Sequence, residues 1–142
     1  MKSLAVSVGE HCDDHYLPPL NKNFSGGNAV NVSVSLQRAG VPTAYIGAIG
    51  NDEDGRQMLA DLQREGVDAS RVKVLSAHTA GTQVRLSPSG DREFIHEDMG
   101  PKNFFALNDD DITFIRQHRL VHNTWLGGTE QYLARFKRDD LI

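Results

Sequence analysis

The segment Gly26-Gly27-Asn28-Ala29-Val30-Asn31 contains residue types that can hold a polar ligand through backbone and amide groups. Glycine lets the backbone approach a ligand without a Cβ atom in the way. Free N–H groups in the first turn of a following helix favour polar or anionic ligand atoms. Asn28 and Asn31 are one turn apart, so both amides can point to one side and both donate and accept hydrogen bonds, as sugar hydroxyls require. The same residues also fit a tight turn with a helix cap, and the pattern alone leaves both interpretations open.

A second candidate is the acid pair Asp13-Asp14, which follows the first predicted strand. Ligands of parallel sheets gather beyond the carboxyl ends of the strands. A carboxylate placed there can accept hydrogen bonds from two sugar hydroxyls. The spacing favours Asp14, but Asp13 is an alternative, and a solvated loop acid is the common fate of a single aspartate.

The elements that position these residues begin with an alternating, β-prone segment over residues 3–9. Residues 10–25 contain two prolines and are predicted to be a loop with at most a short edge strand. A helix of about 12 residues then begins at the two glycines and ends before Gly40, because glycine followed by Val41-Pro42 is a helix stop signal.

The rest of the chain alternates strands and helices, apart from one hairpin whose turn is Pro88-Ser89-Gly90-Asp91. Such alternation predicts an α/β fold with a mainly parallel sheet and helices on its faces. The predicted elements are strand 43–49, helix 53–65, strand 71–75, hairpin strands 82–87 and 92–97, a helix capped by Asn108, strand 119–124 and helix 129–138.

Composition excludes several classes of function. The 142 residues carry a net charge of −4 without a basic run, so a nucleic-acid partner is not expected. No apolar stretch approaches the roughly 20 residues of a membrane span, and the start lacks a signal peptide, which predicts a cytoplasmic protein. The single cysteine, Cys12, is expected at the end of a buried strand. No metal site is predicted, because His11 and His15 are not expected to share a helix so close to Pro18-Pro19.

The order of several motifs resembles the first signature of the PfkB/ribokinase family of carbohydrate kinases. The matching residues are Gly-Gly-Asn-Ala-x-Asn-x-Ser at 26–33, Leu36, Gly40, and the run Ile46-Gly47-Ala48-Ile49-Gly50-Asn51-Asp52-Glu53-Asp54-Gly55. The start from Val8 to Asp14 and the stretch Gly66-Val67-Asp68 with Val72 are also similar to that family. Within it, Gly9-Glu10-His11-Cys12-Asp13-Asp14 most resembles the start of the fructosamine kinases that act on fructoselysine.

The resemblance implies a ribokinase-like three-layer sandwich with a mainly parallel sheet and a small β lid. The lid would comprise about residues 15–25 and 80–98 and would cover the sugar. The residues implied to hold the sugar hydroxyls are Asp14, Gly26, Gly27, Asn28 and Asn31, with further lid contacts from Gln83, Arg85 and His96.

The resemblance also implies ATP with Mg²⁺ as the phosphoryl donor and a small sugar or sugar-amine as the substrate. The family's catalytic Gly-Ala-Gly-Asp motif does not occur in the sequence, so no catalytic residue or nucleotide site is assigned, and the chain alone is expected to lack turnover. Because Leu141-Ile142 looks like the start of another buried strand, the chain is expected to be truncated. The alternative is a sugar-binding or dimerising remnant without catalysis, and the lid would be the surface of a homodimer.

Overall fold

The computed structural model describes residues 3–124 and 128–137. Within these ranges the chain forms nine strands, four α-helices and two 3-10 helices. The strands are β1 Ala5–Val8, β2 Cys12–Tyr16, β3 Lys22–Gly26, β4 Thr43–Ile46, β5 Ala48–Gly50, β6 Lys73–Leu75, β7 Gly81–Leu86, β8 Arg92–Asp98 and β9 Leu120–Asn123. The α-helices are α1 Asn28–Arg38, α2 Glu53–Arg64, α3 Asp109–Arg116 and α4 Leu133–Phe136, and the 3-10 helices are Gly100–Phe104 and Thr129–Tyr132.

A parallel sheet in the order β4-β1-β9 forms the middle layer, and every residue of β1 and β4 is buried. Both strands are mostly apolar, as is typical of parallel strands that are covered on both faces by helices. Ala44 and Ile46 pack toward α3 and α4, whereas Tyr45 packs toward α1 and α2. This arrangement confirms the predicted α/β sandwich with a mainly parallel sheet.

The segment predicted as one strand over residues 43–49 is divided at Gly47. β4 pairs with β1, whereas β5 pairs with β6 in a separate parallel ladder. A Cβ atom at Gly47 would collide with the Tyr45 hydroxyl and would lie 2.8 Å from the Gly9 carbonyl oxygen. Glycine is therefore required where the two ladders separate.

A second, mixed sheet has the order β3-β2-β7-β8. Its β7–β8 hairpin confirms the prediction for residues 82–97, whereas residues 10–25, predicted as a loop with at most a short edge strand, contain more strand than expected. Most of that segment forms the antiparallel pair β2–β3, and β2 also pairs in parallel with β7. β2 is difficult to predict from the sequence because its residues are polar and one of its partners, β7, is distant in sequence.

The helices begin where the sequence indicates. Asp52 caps α2 by accepting from the Gly55 N–H, and Asn108 and Asp111 form a reciprocal capping box at α3. Asp111 also accepts from Lys73 Nζ at 2.6 Å, which joins α3 to β6. The helix predicted over 129–138 is a 3-10 turn followed by the short α4. Residue 138, at the end of that prediction, and Leu141-Ile142 lie outside the described ranges. Among the described helices, none has the length and apolarity to cross a bilayer.

Candidate functional site

An open cavity of about 510 Å³ lies where the end of β1 and the start of α1 meet the mixed sheet. It collects side chains from segments far apart in the chain, and it contains Asp14, Gly27 and Asn28 from the predicted set. We call it the acceptor cavity. Its lining residues are Glu10, Cys12, Asp14, Gly27, Asn28, Thr82, Phe94, Glu97, Met99, Lys102 and Thr124.

The alternation of β2 separates the two candidate aspartates, because successive side chains of a strand point to opposite faces. Asp14 lines the acceptor cavity, whereas Asp13 lies on the other face of the sheet, beside Asp54. The Cys12 thiol shares the cavity face and donates to Asp14 Oδ1 at 3.8 Å. Burial, reinforced by the Asp14 charge, raises the pKa of Cys12 to about 11. The predicted place of Cys12 at the end of a buried strand is wrong, because Cys12 begins β2 beside the cavity.

The two glycines allow a close approach between α1 and the chain that follows β1. Gly27 has a φ of 105°, and a Cβ atom there would lie 2.5 Å from the Glu10 carbonyl oxygen. A Cβ atom at Gly26 would be 3.4 Å from Asp14 Oδ2. Gly27 therefore has a packing role, whereas a Cβ atom at Gly26 would make only an ordinary contact with the Asp14 carboxylate.

Glu10 was missed by the sequence analysis. Its Oε1 accepts from the Asn28 backbone N–H at 3.2 Å, and its Oε2 accepts from the Thr124 hydroxyl at 2.6 Å. A carboxylate at a helix start is stabilised by the helix dipole. The first N–H of α1, expected to be free for a ligand, is therefore occupied by Glu10.

The two asparagines of the double-glycine motif have different surroundings. Asn28 lines the acceptor cavity and also an adjoining groove that includes His122 and Thr124. Asn31 is exposed and lines the groove but not the acceptor cavity. Asn28 is thus the asparagine that the structure brings to Asp14.

The three polar side chains predicted to reach the ligand from the hairpin lie elsewhere. Gln83 and His96 pair across β7 and β8 and line a different cavity, with His15 and Asp54, on the other face of the sheet. Arg85 forms an ion pair with Glu93 at 3.2 Å. The structure therefore corrects this expectation, since the strand pattern did not reveal which face of the hairpin covers the cavity.

A β-bulge in β8 brings other hairpin residues to the acceptor cavity. Gln83 pairs with His96 and Val84 with Phe94, so Ile95 has no partner in the ladder. The extra residue puts Phe94 and Glu97 on the same face. Periodicity alone could not find this pair, because regular alternation would place them on opposite faces.

Among the residues that the structure describes, Lys102 is the one basic side chain that lines the acceptor cavity. It lies in the 3-10 helix, its side chain is only 7% exposed, and its Nζ is 3.9 Å from Glu97 Oε1. Glu10, Asp14 and Glu97 supply three carboxylates against this one ammonium group. The cavity therefore suits hydroxyl-rich or cationic molecules better than polyphosphates.

His11 and Tyr45 form a buried support beneath this region. Burial lowers the pKa of His11 to about 3, although Asp61 opposes the change, so the ring is neutral at neutral pH. Its Nε2 is 2.7 Å from Ser25 Oγ, and the ring packs edge-on against Tyr45. The Tyr45 hydroxyl donates to the Gly9 carbonyl at 2.9 Å, which fixes the end of β1 next to Glu10.

Residues 5–113 match the family model of the pfkB family carbohydrate kinases. This match covers most of the chain, and it agrees with the α/β sandwich and the double-glycine segment described above. The chain belongs to the pfkB family of carbohydrate kinases.

Two curated relatives are informative. Fructoselysine 6-kinase of Escherichia coli is 42% identical over 130 residues, which are 92% of this chain and 49% of the relative. Fructosamine kinase FrlD of Bacillus subtilis is 32% identical over 84% of this chain and 43% of its own length. The chain spans about half the length of the curated relatives it matches.

Solved structures agree on the fold. Arabidopsis thaliana ribokinase, solved with ribose and ATP, superposes with a TM-score of 0.78 at 22% identity, over 87% of this chain and 45% of that protein. An uncharacterized sugar kinase of Pyrococcus horikoshii gives a TM-score of 0.72 at 26% identity, over 85% of this chain and 42% of its own.

We predict that Gly27→Ala destabilises the protein far more than Gly40→Ala, at the other end of α1. Both glycines have a positive φ, but a Cβ atom at Gly40 meets nothing within 4 Å. Gly40→Ala should cost about 1 kcal/mol for its backbone conformation. Gly27→Ala should cost about 3 kcal/mol or more, because the contact with the Glu10 carbonyl adds overpacking. Urea unfolding of both variants measures the difference, and equal losses would contradict the proposed close approach.

Proposed function

We propose that this chain provides the acceptor-binding part of a kinase that phosphorylates a hydroxyl of a sugar or fructosamine. The proposal rests on the acceptor cavity, where Asp14, Asn28 and Thr82 meet. A carboxylate accepts hydrogen bonds from neighbouring hydroxyls, and an amide and a hydroxyl can both donate and accept. Holding the acceptor in one orientation is a large part of the catalysis of phosphoryl transfer.

The charge of the cavity favours a fructosamine over a plain sugar. A fructosamine carries a protonated secondary amine next to its sugar hydroxyls, and Glu97 offers a half-exposed carboxylate on the cavity face of β8. Two of the relatives are themselves named fructoselysine 6-kinase and fructosamine kinase. We infer that Asp14 contacts hydroxyls and that Glu97 contacts the ammonium group.

The mixed sheet has the position of a lid. Asp14, Thr82 and Glu97 reach the cavity from β2, β7 and β8, whereas Gly27 and Asn28 reach it from α1. We propose that the lid comprises β2, β3, β7 and β8, which is slightly larger at its first segment than the predicted residues 15–25. Closing this sheet on the acceptor would exclude water from the cavity.

We propose that the full kinase is cytoplasmic and uses ATP with Mg²⁺ as the phosphoryl donor, and membership of the pfkB family supports the choice of ATP. The described residues do not fit the triphosphate. Glu10 already occupies the first N–H of α1, and the three carboxylates of the cavity would repel phosphate. These residues bind and orient the acceptor, and no transfer step is assigned to them.

The apolar part of the lid supports a homodimer. Phe24 and Phe94 are 49% and 66% exposed, and the ladder register places both on the face that carries Asp14. Every residue of β8 is exposed, and the strand forms one edge of the sheet. An edge strand with exposed aromatic residues is a template for association with a second chain. We propose that two lids pack against each other through this face.

For acceptor binding, we predict that Asp14→Asn weakens both fructoselysine and fructose by about tenfold or more, because a charge-assisted hydrogen bond to a hydroxyl is lost. Isothermal titration calorimetry measures both ligands. Gln83→Ala is the control, since Gln83 lies on the opposite face of the same sheet. Equal affinities of Asp14→Asn and the unmodified chain would refute the assignment of Asp14.

For the amine, we predict that Glu97→Gln weakens fructoselysine by about tenfold and changes fructose affinity by less than about threefold, because only fructoselysine carries an ammonium group. The ratio of the two dissociation constants is the measured quantity. An equal effect on both ligands would refute the role of Glu97 while leaving sugar binding intact.

For the dimer, we predict a mass of twice 15.7 kDa in sedimentation equilibrium. The double variant Phe24→Glu, Phe94→Glu should be a monomer, because four glutamates would face each other across the two lids. Leu133→Glu changes an exposed leucine outside the lid and should leave the dimer intact. A monomeric unmodified chain would contradict the proposal.

A further inference from the structure

A histidine and two aspartates converge on the face of the mixed sheet that points away from the acceptor cavity. Asp13 and His15 are two residues apart on β2, so their side chains lie on the same face. Asp54, in the first turn of α2, lies beside these two side chains. His15 Nε2 lies 3.3 Å from Asp13 Oδ2 and 3.9 Å from Asp54 Oδ2, and one ligand atom from each residue lies within 4.8 Å of the others.

Asp13 is the unusual member of this cluster. Its side chain is only 10% exposed, and among the described residues the His15 ring is the one basic group within 4 Å of it. A buried carboxylate beside a second carboxylate is costly unless a cation compensates for both charges.

The donor set and its spacing fit a small transition ion. One imidazole nitrogen and two carboxylate oxygens are ligands that Zn²⁺ and its neighbours accept, whereas Ca²⁺ takes six to eight oxygen ligands. Ligand atoms about 2.1 Å from a tetrahedral ion are about 3.4 Å apart, which is close to the 3.3 Å and 3.9 Å from His15 Nε2 to the two aspartates. The adjoining cavity, lined also by His96 and Asp98, leaves room for water as a further ligand.

We propose that Asp13, His15 and Asp54 bind a divalent transition ion of the Zn²⁺ type. The site stands apart from the acceptor cavity and does not depend on the proposed kinase function. Two ligands come from the mixed sheet and the third from α2, so the ion would tie that sheet to the helical layer. Binding would thereby fix the position of β2, whose other face carries Asp14.

The test uses untagged, chelator-treated protein and Zn²⁺ alone. Isothermal titration calorimetry should show one Zn²⁺ per chain, and thermal unfolding should shift to higher temperature with added Zn²⁺. His15→Gln and Asp54→Asn should each weaken binding by at least about tenfold, because each removes a ligand. Bound Co²⁺ should give a visible d–d absorption band, and His15→Gln should weaken that band together with the affinity.

His122→Gln is the control, since His122 lies in β9 and lines the groove beside Asn28. It should bind Zn²⁺ as the unmodified chain does. Circular dichroism confirms that each variant is folded before titration. The proposal is overturned if no stoichiometric binding is found, or if folded His15→Gln and Asp54→Asn both bind Zn²⁺ unchanged.

Discussion

The site depends on the two hydrogen bonds that the Glu10 carboxylate accepts. This carboxylate joins the first N–H of α1 to the hydroxyl of Thr124, and thus links the ends of β1 and β9 to the start of the helix. The link is possible only because Gly27 lets the backbone of α1 approach the Glu10 carbonyl. The carboxylate also lines the acceptor cavity, where it adds to the negative charge of Asp14 and Glu97.

One strand divides the chemistry of the chain between two faces. β2 places Asp14 toward the acceptor cavity and Asp13 toward α2, because neighbouring residues of a strand alternate. The two aspartates therefore have different surroundings although they are adjacent in sequence. β2 pairs with β3 on one side and with β7 on the other. A ligand that fixes or shifts β2 from one face would therefore also affect the residues on its other face.

Local signals were sufficient to predict much of the fold. The starts of α1, α2 and α3 follow from glycine, Asp52 and Asn108, whose capping chemistry is contained in a few neighbouring residues. Residues 10–25 contain two strands where at most one short edge strand was expected, because β2 is polar and one of its two partners, β7, lies far along the chain. The break at Gly47 was missed for a related reason, since a contact with the Tyr45 hydroxyl requires it.

The site was predictable to the extent that its residues are close in sequence. Asp14, Gly27 and Asn28 were found by motif and order, and the structure brings them together. Glu10, Lys102 and Thr124 could not be found, because only the folded chain shows that they share a cavity. Gln83 and His96 were assigned to the wrong face, since alternation defines two faces without saying which one is covered.

The bulge at Ile95 makes β8 one residue longer than the part of β7 that it pairs with. Ile95 has no partner in the ladder, whereas Val84 pairs with Phe94 and Thr82 with Glu97, so Phe94 and Glu97 lie on the cavity face. Loss of Ile95 would leave these pairs in place and would remove only the bulge. The length of β8 can therefore change by one residue at this position while both side chains still face the acceptor.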